Sequence, residues 1–251
     1  MTANTRRVQN QPAWLLHHRP FRDTSRILDV VTREHGRIAL IARGARTSRS
    51  RLRGILRPFL PLNMSWFIRS DLGTLTDAEM GGTPLQLTGD ALMSGYYVNE
   101  LLLKLMHRHD PQPEIFDAYA TTIKSLATES SVAPVLRQFE MELLRLSGYA
   151  LNLEHDCESL EPLQAERYYE YRAEQGPAPV DARSGSMVFS GRQLDAIRCQ
   201  KFSDTDTLQC ASRLLRQVIA HRLDGKELSS RRVYRELKRA AAPVPVDAIK
   251  E

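Results

Sequence analysis

A chain of 251 residues with a net charge of +5 and 42% apolar residues is long enough for one large domain or two small ones, and its composition is that of an ordinary folded protein. No apolar run approaches the ~20 residues a membrane-spanning helix needs, and residues 1–12 lack the apolar segment of a secretion signal, so a cytoplasmic protein without a membrane association is expected. The cysteines, Cys157, Cys199 and Cys210, are odd in number in a long chain, which argues against a disulfide framework.

Residues 1–12 are polar and predict a disordered N-terminus. From Ala13 the apolar pattern takes period two, and five strands fit before residue 81. Ala13–Arg19 and Thr24–Arg33 flank a turn at Arg19-Pro20, and Gly36 introduces Arg37–Arg43. Pro58 opens a fourth strand with Leu60, Leu62, Met64, Trp66 and Ile68 on one face, and Asp71-Leu72-Gly73 turns the chain into a fifth, Thr74–Met80. Five short antiparallel strands over residues 13–81 suit a small closed barrel of the oligonucleotide-binding (OB) type.

Between the third and fourth strands lies the most one-sided stretch of the chain. Residues 33–58 hold Arg33, Arg37, Arg43, Arg46, Arg49, Arg51, Arg53 and Arg57 against the single acid Glu34. Residues 1–60 carry thirteen arginines, no lysine and three acids, a net of +10, so the remainder carries −5 of the total +5. A planar guanidinium meets two phosphate oxygens at once, so an arginine loop leaving a strand suits a polyanion, nucleic acid above all. Phe67, on the opposite face from Trp66, is the better base-stacking candidate; Phe21 and Phe59 also lie near basic residues.

Gly81-Gly82-Thr83-Pro84 reads as the boundary to a mainly α-helical domain over residues 82–240, making the whole an α+β protein. One helix covers Leu85–His109 with Leu92, Tyr96, Leu101, Leu102 and Leu105 inward. A second carries Ile115, Phe116, Tyr119, Ile123 and Leu126. A third follows Pro134 with Val135, Leu136, Phe139, Leu143, Leu144 and Leu146, and Gly148 suits its C-terminal cap. Residues 150–190 predict an irregular module with a hairpin of Tyr168–Arg172 and Met187–Ser190. Ser190 with Gln193 is a capping-box signature. Asp204–Arg222 and about Ser229–Ala240 read as two more helices, the last strongly basic, and residues 241–251 as a disordered tail.

No metal, cofactor or catalytic constellation stands out. His155 and Cys157 lack the second pair that a structural zinc site needs. No nucleophile elbow, zinc-protease helix motif or phosphate loop is present. Glu100 and Glu140 sit inside apolar helices, where an acid can form an acid/base pair or, more commonly, join an arginine or cap a backbone group.

The order of several segments resembles the RecO family, bacterial recombination mediators of DNA repair. They are R-P-F-R-D-T-S-R-I-L-D-V (19–30), E-H-G-R-I-A-L-I-A-R-G-A-R (34–46), Y-Y-V-N-E-L-L (96–102), L-R-Q-F-E-x-x-L-L-R-L-S-G-Y (136–149), F-S-G-R-Q-L (189–194) and G-K-E-L-S-S-R-R (225–232). The resemblance implies an N-terminal OB barrel and a C-terminal helical domain. It implies binding to single- and double-stranded DNA, strand annealing, and cooperation with RecR in loading RecA onto DNA coated by single-strand binding protein, whose acidic C-terminal tail such proteins bind. Many members carry a four-cysteine zinc module after the G-Y segment; here Cys157 stands alone, and zinc is not expected. Annealing needs no covalent step, so no enzymatic activity is expected.

The expected DNA contacts are Arg37, Arg43, Arg46, Arg49, Arg51, Arg53, Arg57 and Phe67 on the barrel, with Lys226 ahead of the terminal basic helix and Arg231, Arg232 and Arg235 on it as a second surface. The acidic tail needs an apolar groove with a cation at its rim, and Leu136, Arg137 and Phe139 are the expected residues, with an internal salt bridge from Arg137 to Glu140 or Glu100 as the competing reading. The rival function is an OB-type RNA-binding or ribosome-associated protein, which would prefer structured RNA over single-stranded DNA.

Overall fold

The computed structural model describes residues 6–68, 71–181, 183 and 185–240. Strands β1 (Arg6–Phe21), β2 (Ser25–Thr32), β3 (Gly36–Ala42), β4 (Pro61–Ile68) and β5 (Leu72–Met80) close into a barrel in the order β1-β2-β3-β5-β4, and β4 pairs with β1. The pairing of β3 with β5 is parallel, not antiparallel as the period-two pattern alone suggested. This is the strand order of an OB-like barrel. A single helical turn, α1 (Leu52–Ile55), lies in the basic loop.

The barrel begins earlier than expected. Residues 6–12 are strand, not disordered chain, because β4 supplies a ladder from Arg6↔Ile68 onward. Only Val8 among them is buried, so the sequence carries almost no apolar signal there. The first turn is also displaced: Pro20 lies within β1 opposite Arg26, and the chain reverses at Arg22, Asp23 and Thr24. Residues 1–5 and the expected tail at 241–251 fall outside the described residues.

Ala13, Trp14, Leu15 and Leu16 are all buried in one strand, which a half-solvated sheet would not allow. Ala13 and Leu15 fill the barrel with Leu28, Leu40, Leu62, Met64 and Trp66. Trp14 and Leu16, with Val31, face outward into the helical core. Removing each of these side chains from water stabilises the contact by about 1.5–3 kcal/mol, so the two halves share one apolar joint.

The helical half contains α2 (Gly89–Leu105), α3 (Pro113–Thr128), α4 (Val132–Leu146), α5 (Gly191–Arg198), α6 (Thr205–Arg222) and α7 (Ser229–Ala240). α4 ends in a Schellman motif: Tyr149 N–H donates to Leu144 O at 2.7 Å and Gly148 N–H to Arg145 O at 3.1 Å, with Gly148 at φ +81°. Both capping-box hydrogen bonds between Ser190 and Gln193 are present. Tyr96, expected inward, is 42% exposed. The expected hairpin is a three-stranded sheet of β6 (Tyr168–Arg172), β7 (Gly176–Val180) and β8 (Val188–Ser190) in the order β7-β6-β8. Pro177 and Pro179 masked β7 in the sequence; they are tolerated because it is an edge strand.

Polar ties complete the joint. A β-bulge between Leu15 and His17 takes Leu16 out of register, and Asn99 Nδ2 donates to the Leu16 carbonyl at 2.9 Å. The Tyr119 hydroxyl donates to Asn99 Oδ1 at 2.8 Å. Gly36, at φ +64°, lets the Asp110 backbone pack against it: a Cβ there would lie 2.0 Å from the Asp110 carbonyl oxygen.

Candidate nucleic-acid interface

The basic loop is anchored from within and basic on its surface. Ala45 and Leu56 are fully buried beneath it. Successive turn hydrogen bonds, Thr47 N–H to Gly44 O, Ser50 N–H to Thr47 O and Arg53 N–H to Ser50 O, shape the backbone. Arg46 N–H donates to Thr24 O at 2.9 Å and its guanidinium to Arg22 O at 3.1 Å, binding the loop to the β1–β2 turn. Phe21 ends β1 and Arg22 opens that turn, with the guanidinium 5.2 Å from the ring centroid. Two loops of the OB-like barrel thus meet at one rim. Arg43, Arg46, Arg49, Arg51, Arg53 and Arg57 are all exposed there. Arg51 is ion-paired with Asp77 on β5.

Arg37 departs from its expected role. Its side chain is only 15% exposed, its Nε donates to Met106 O at 3.1 Å, and it shares Asp29 with Arg108. Burial and the neighbouring Arg108 lower its pKa. It stitches the barrel to the helical half and is not presented for a phosphate contact. Phe67 is half-buried on the outer wall of the barrel, in a row with Arg7, Thr74 and Ile41 across β1, β4, β5 and β3. Phe59, the other aromatic near the loop, is buried.

The terminal basic residues divide differently from the sequence reading. Arg232 is exposed on the outside of α7. Lys226, Arg231 and Arg235 instead line a groove of about 720 Å³ between α2, α4, α6 and α7. Val132, Leu136, Leu208, Ile219 and Leu223 supply its apolar wall. Five cations (Arg137, Arg216, Lys226, Arg231, Arg235) face it against one lining acid, Glu227, which pairs with Arg235. Phe139, expected here, is absent from the lining; it is 2% exposed and packs in the helical core.

Beneath the groove lies a buried cluster. Glu140, fully buried, accepts from Arg137 Nη2 at 2.8 Å and from the Tyr97 hydroxyl. Arg231 reaches across from α7, 2.7 Å from the Tyr97 hydroxyl and 3.7 Å from Glu140 Oε1. Burial, then Glu140, holds the Tyr97 pKa well above its ordinary value, so the phenol keeps its proton. Arg137 Nε and Glu140 Oε2 have no hydrogen-bond partner among the described residues. Two guanidinium groups therefore share one carboxylate, which leaves a net of one positive charge beneath the groove. Glu100 is not part of an acid/base pair with Glu140: it caps α7, accepting from Ser229 N–H at 2.9 Å, Ser230 N–H at 2.8 Å and the Ser230 hydroxyl at 2.6 Å.

In the region after the G-Y segment, one cysteine does not fit a tetrahedral thiolate zinc site. Hydrogen bonds shape the loop: Asp156 accepts from Ser159 Oγ and from the N–H groups of Glu158 and Ser159, which lowers its pKa. Among the described residues no group of three or more His, Cys, Asp and Glu side chains could hold a metal ion, and no helix is long and apolar enough to cross a membrane.

Two family profiles match the chain: Recombination protein O N terminal over residues 7–83 and Recombination protein O C terminal over residues 86–232. Relatives named DNA repair protein RecO match most of its length. That of an Azoarcus species is 46% identical over 236 residues, covering 92% of this chain and 97% of the relative. That of Methylococcus capsulatus is 41% identical over 229 residues, covering 91% and 94%. That of Dechloromonas aromatica is 42% identical over 237 residues, covering 92% and 97%.

Proposed function

Since the chain belongs to the RecO family of DNA repair and recombination proteins, we propose that it is a recombination mediator acting by binding and not by covalent catalysis. It holds and anneals single-stranded DNA, also binds duplex DNA, and works with RecR to load RecA onto DNA coated by single-strand binding protein, on the nucleoid in the cytoplasm. The observation that carries the DNA reading is the anchored arginine rim of an OB-like barrel. Arg43, Arg46, Arg49, Arg51, Arg53, Arg57 and Phe67 form the barrel side of the interface, and Arg232 lies on α7. The groove above Glu140 is the site for the acidic tail of the coating protein: Leu136 and its neighbours take apolar side chains, and Arg137 with Arg231, Arg235 and Lys226 takes carboxylates.

Arg51 is held by Asp77 and Arg46 partly by Arg22 O, so the cleaner test changes Arg43, Arg49, Arg53 and Arg57 to Ala. Fluorescence anisotropy of a labelled single strand between 50 and 200 mM salt is the assay. Each phosphate contact contributes about 0.7 to the slope of log affinity against log salt on single strands, so four lost contacts flatten it by roughly 2.8. On duplex DNA about six contacts would give a roughly 10³-fold loss of affinity over the same salt range. Binding of the acidic tail peptide is expected to survive the substitutions. An unchanged slope would remove the barrel rim from the interface, and a preference for structured RNA over single-stranded DNA would favour the rival reading.

A further inference from the structure

We propose that Tyr96, Val233 and Leu237 form an exposed trough that takes the bases of single-stranded DNA as the strand passes from the barrel rim toward α7, with Tyr96 as a stacking platform. The proposal rests on the DNA-binding reading above and extends it across the joint between the two halves.

Tyr96, Val233 and Leu237 are 42%, 42% and 52% exposed. Their placement follows from the contacts of α2 and α7. On α2, Gly95 abuts Phe59 and Asn99 bonds to Leu16, so this arc faces the barrel. Asp90, Tyr97 and Glu100 contact α7 through Lys238, Arg231 and the Ser229–Ser230 backbone. With 100° between successive residues, Tyr96 falls on the solvent-facing arc between these two arcs. The same contacts make α7 antiparallel to α2. On α7, Arg231 and Arg235 turn toward the groove, while Val233 and Leu237, one turn apart, fall on the other flank, toward Tyr96.

The trough has the chemistry of a single-strand site. Its floor is apolar and aromatic. Its barrel edge continues into Arg57, exposed and two residues from Phe59, and through it into the arginine rim. Bases on a π-surface with phosphates toward a basic rim is the usual arrangement for sequence-tolerant single-strand binding. The Tyr96 ring is held edge-to-face against Phe59, centroids 5.2 Å apart, so little side-chain freedom is lost when a base stacks on it. Continuity with the arginine rim at Arg57 favours DNA over a protein occupant, because a strand held on the rim would run directly onto Tyr96.

The test uses the full-length protein and a fluorescein-labelled oligothymidylate, one version carrying a 5-iodouracil for photo-crosslinking. Wild-type protein should crosslink at Tyr96, located by peptide mass spectrometry. Tyr96→Ala should weaken oligothymidylate binding roughly 5-fold to 150-fold, the range for loss of one stacked base. Its salt slope should not change, because no phosphate contact is lost, and duplex affinity should move far less. Tyr96→Phe should bind like wild type. Oligothymidylate binding that is sensitive to the four-arginine substitution, with no crosslink at Tyr96 and full affinity in Tyr96→Ala, overturns the trough and makes the patch a protein-docking surface. Binding insensitive to both sets of substitutions overturns the underlying DNA assignment instead.

Discussion

Asn99 is the residue on which the union of barrel and helical half can be tested most sharply. It is 2% exposed, its amide donates to the Leu16 carbonyl, and its carbonyl accepts from Tyr119, itself fully buried. In Asn99→Leu the branching and heavy-atom count of the side chain are kept, while a buried carbonyl and a buried phenol both lose their partner. Each orphaned group costs about 1–3 kcal/mol, hence roughly 2–6 kcal/mol together. At about 2–4 °C per kcal/mol for a protein of this size, Tm should fall by roughly 4–24 °C. Tyr119→Phe orphans only Asn99 Oδ1 and should cost about 1–3 kcal/mol. The double variant should cost less than the sum, because both single changes break the same hydrogen bond. Urea unfolding followed by tryptophan fluorescence suits the question, since Trp14 lies in the joint, edge-on to Tyr119 at 5.5 Å, and Trp66 lies inside the barrel. A stability for Asn99→Leu within about 0.5 kcal/mol of wild type, the ordinary scatter of harmless surface changes, would refute the reasoning.

The remaining predictions concern the groove, helix α7 and pH. Arg231→Ala should weaken the acidic tail peptide in a titration while leaving Tm nearly unchanged, because Arg137 still neutralises Glu140. Arg137→Ala should also weaken the peptide and spare naked DNA, but it removes the nearer of the two guanidinium partners of buried Glu140 and should cost up to about 3–5 kcal/mol in urea unfolding; equal loss of peptide and DNA binding would count against the clamp. Glu100→Ala removes the cap of α7, a helix with no buried residue, and should destabilise it by about 0.5–2 kcal/mol, read as faster amide hydrogen exchange over residues 229–235. His18 and His35 both have pKa values lowered from 6.5, by burial first, with Arg26 and His17 adding for His18 and Arg6 for His35. The fold therefore favours their neutral forms: this stability is fully present above pH 6.5 and is lost as pH falls through the lowered folded values. Tm should drop between pH 7.5 and 5.5, and the double change to Gln should flatten that drop.

The barrel could be read from Leu60, Leu62, Met64 and Trp66, because period two on a half-buried strand is a local signal. What could not be read depends on distant partners. Residues 6–12 are strand only because β4 comes alongside, and Pro20 sits within β1 because the reversal falls later, at Arg22–Thr24. The arginine rim was visible as composition, yet Arg37 has the same sequence character as its neighbours and is taken up by Met106 O and Asp29 in the joint. Tyr96 has the opposite history: helical spacing alone put it inward, whereas α2 needs two different arcs for the barrel and for α7, and Tyr96 lies between them. The groove was expected from the L-R-x-F-E segment, but Phe139 points to the core, and Lys226, Arg231 and Arg235 complete the lining from a segment some ninety residues later.

The cluster of Glu140, Arg137 and Tyr97 would be a poor choice if stability alone decided it. Taking ions out of water costs several kcal/mol each, and apolar replacements of similar volume often leave a protein as stable or more so. A purely structural cluster would also satisfy its polar atoms, because half-satisfied buried networks are the costly kind. Here Arg137 Nε and Glu140 Oε2 are left over. The second guanidinium, Arg231, comes from α7, whose other ties to the body, through Glu100 and Asp90, are polar and partly solvated. One carboxylate against two guanidinium groups leaves one positive charge, and the groove opens over it with apolar walls. A carboxylate-terminated peptide would balance that charge, which is the electrostatic reason for placing the proposed tail site in this groove.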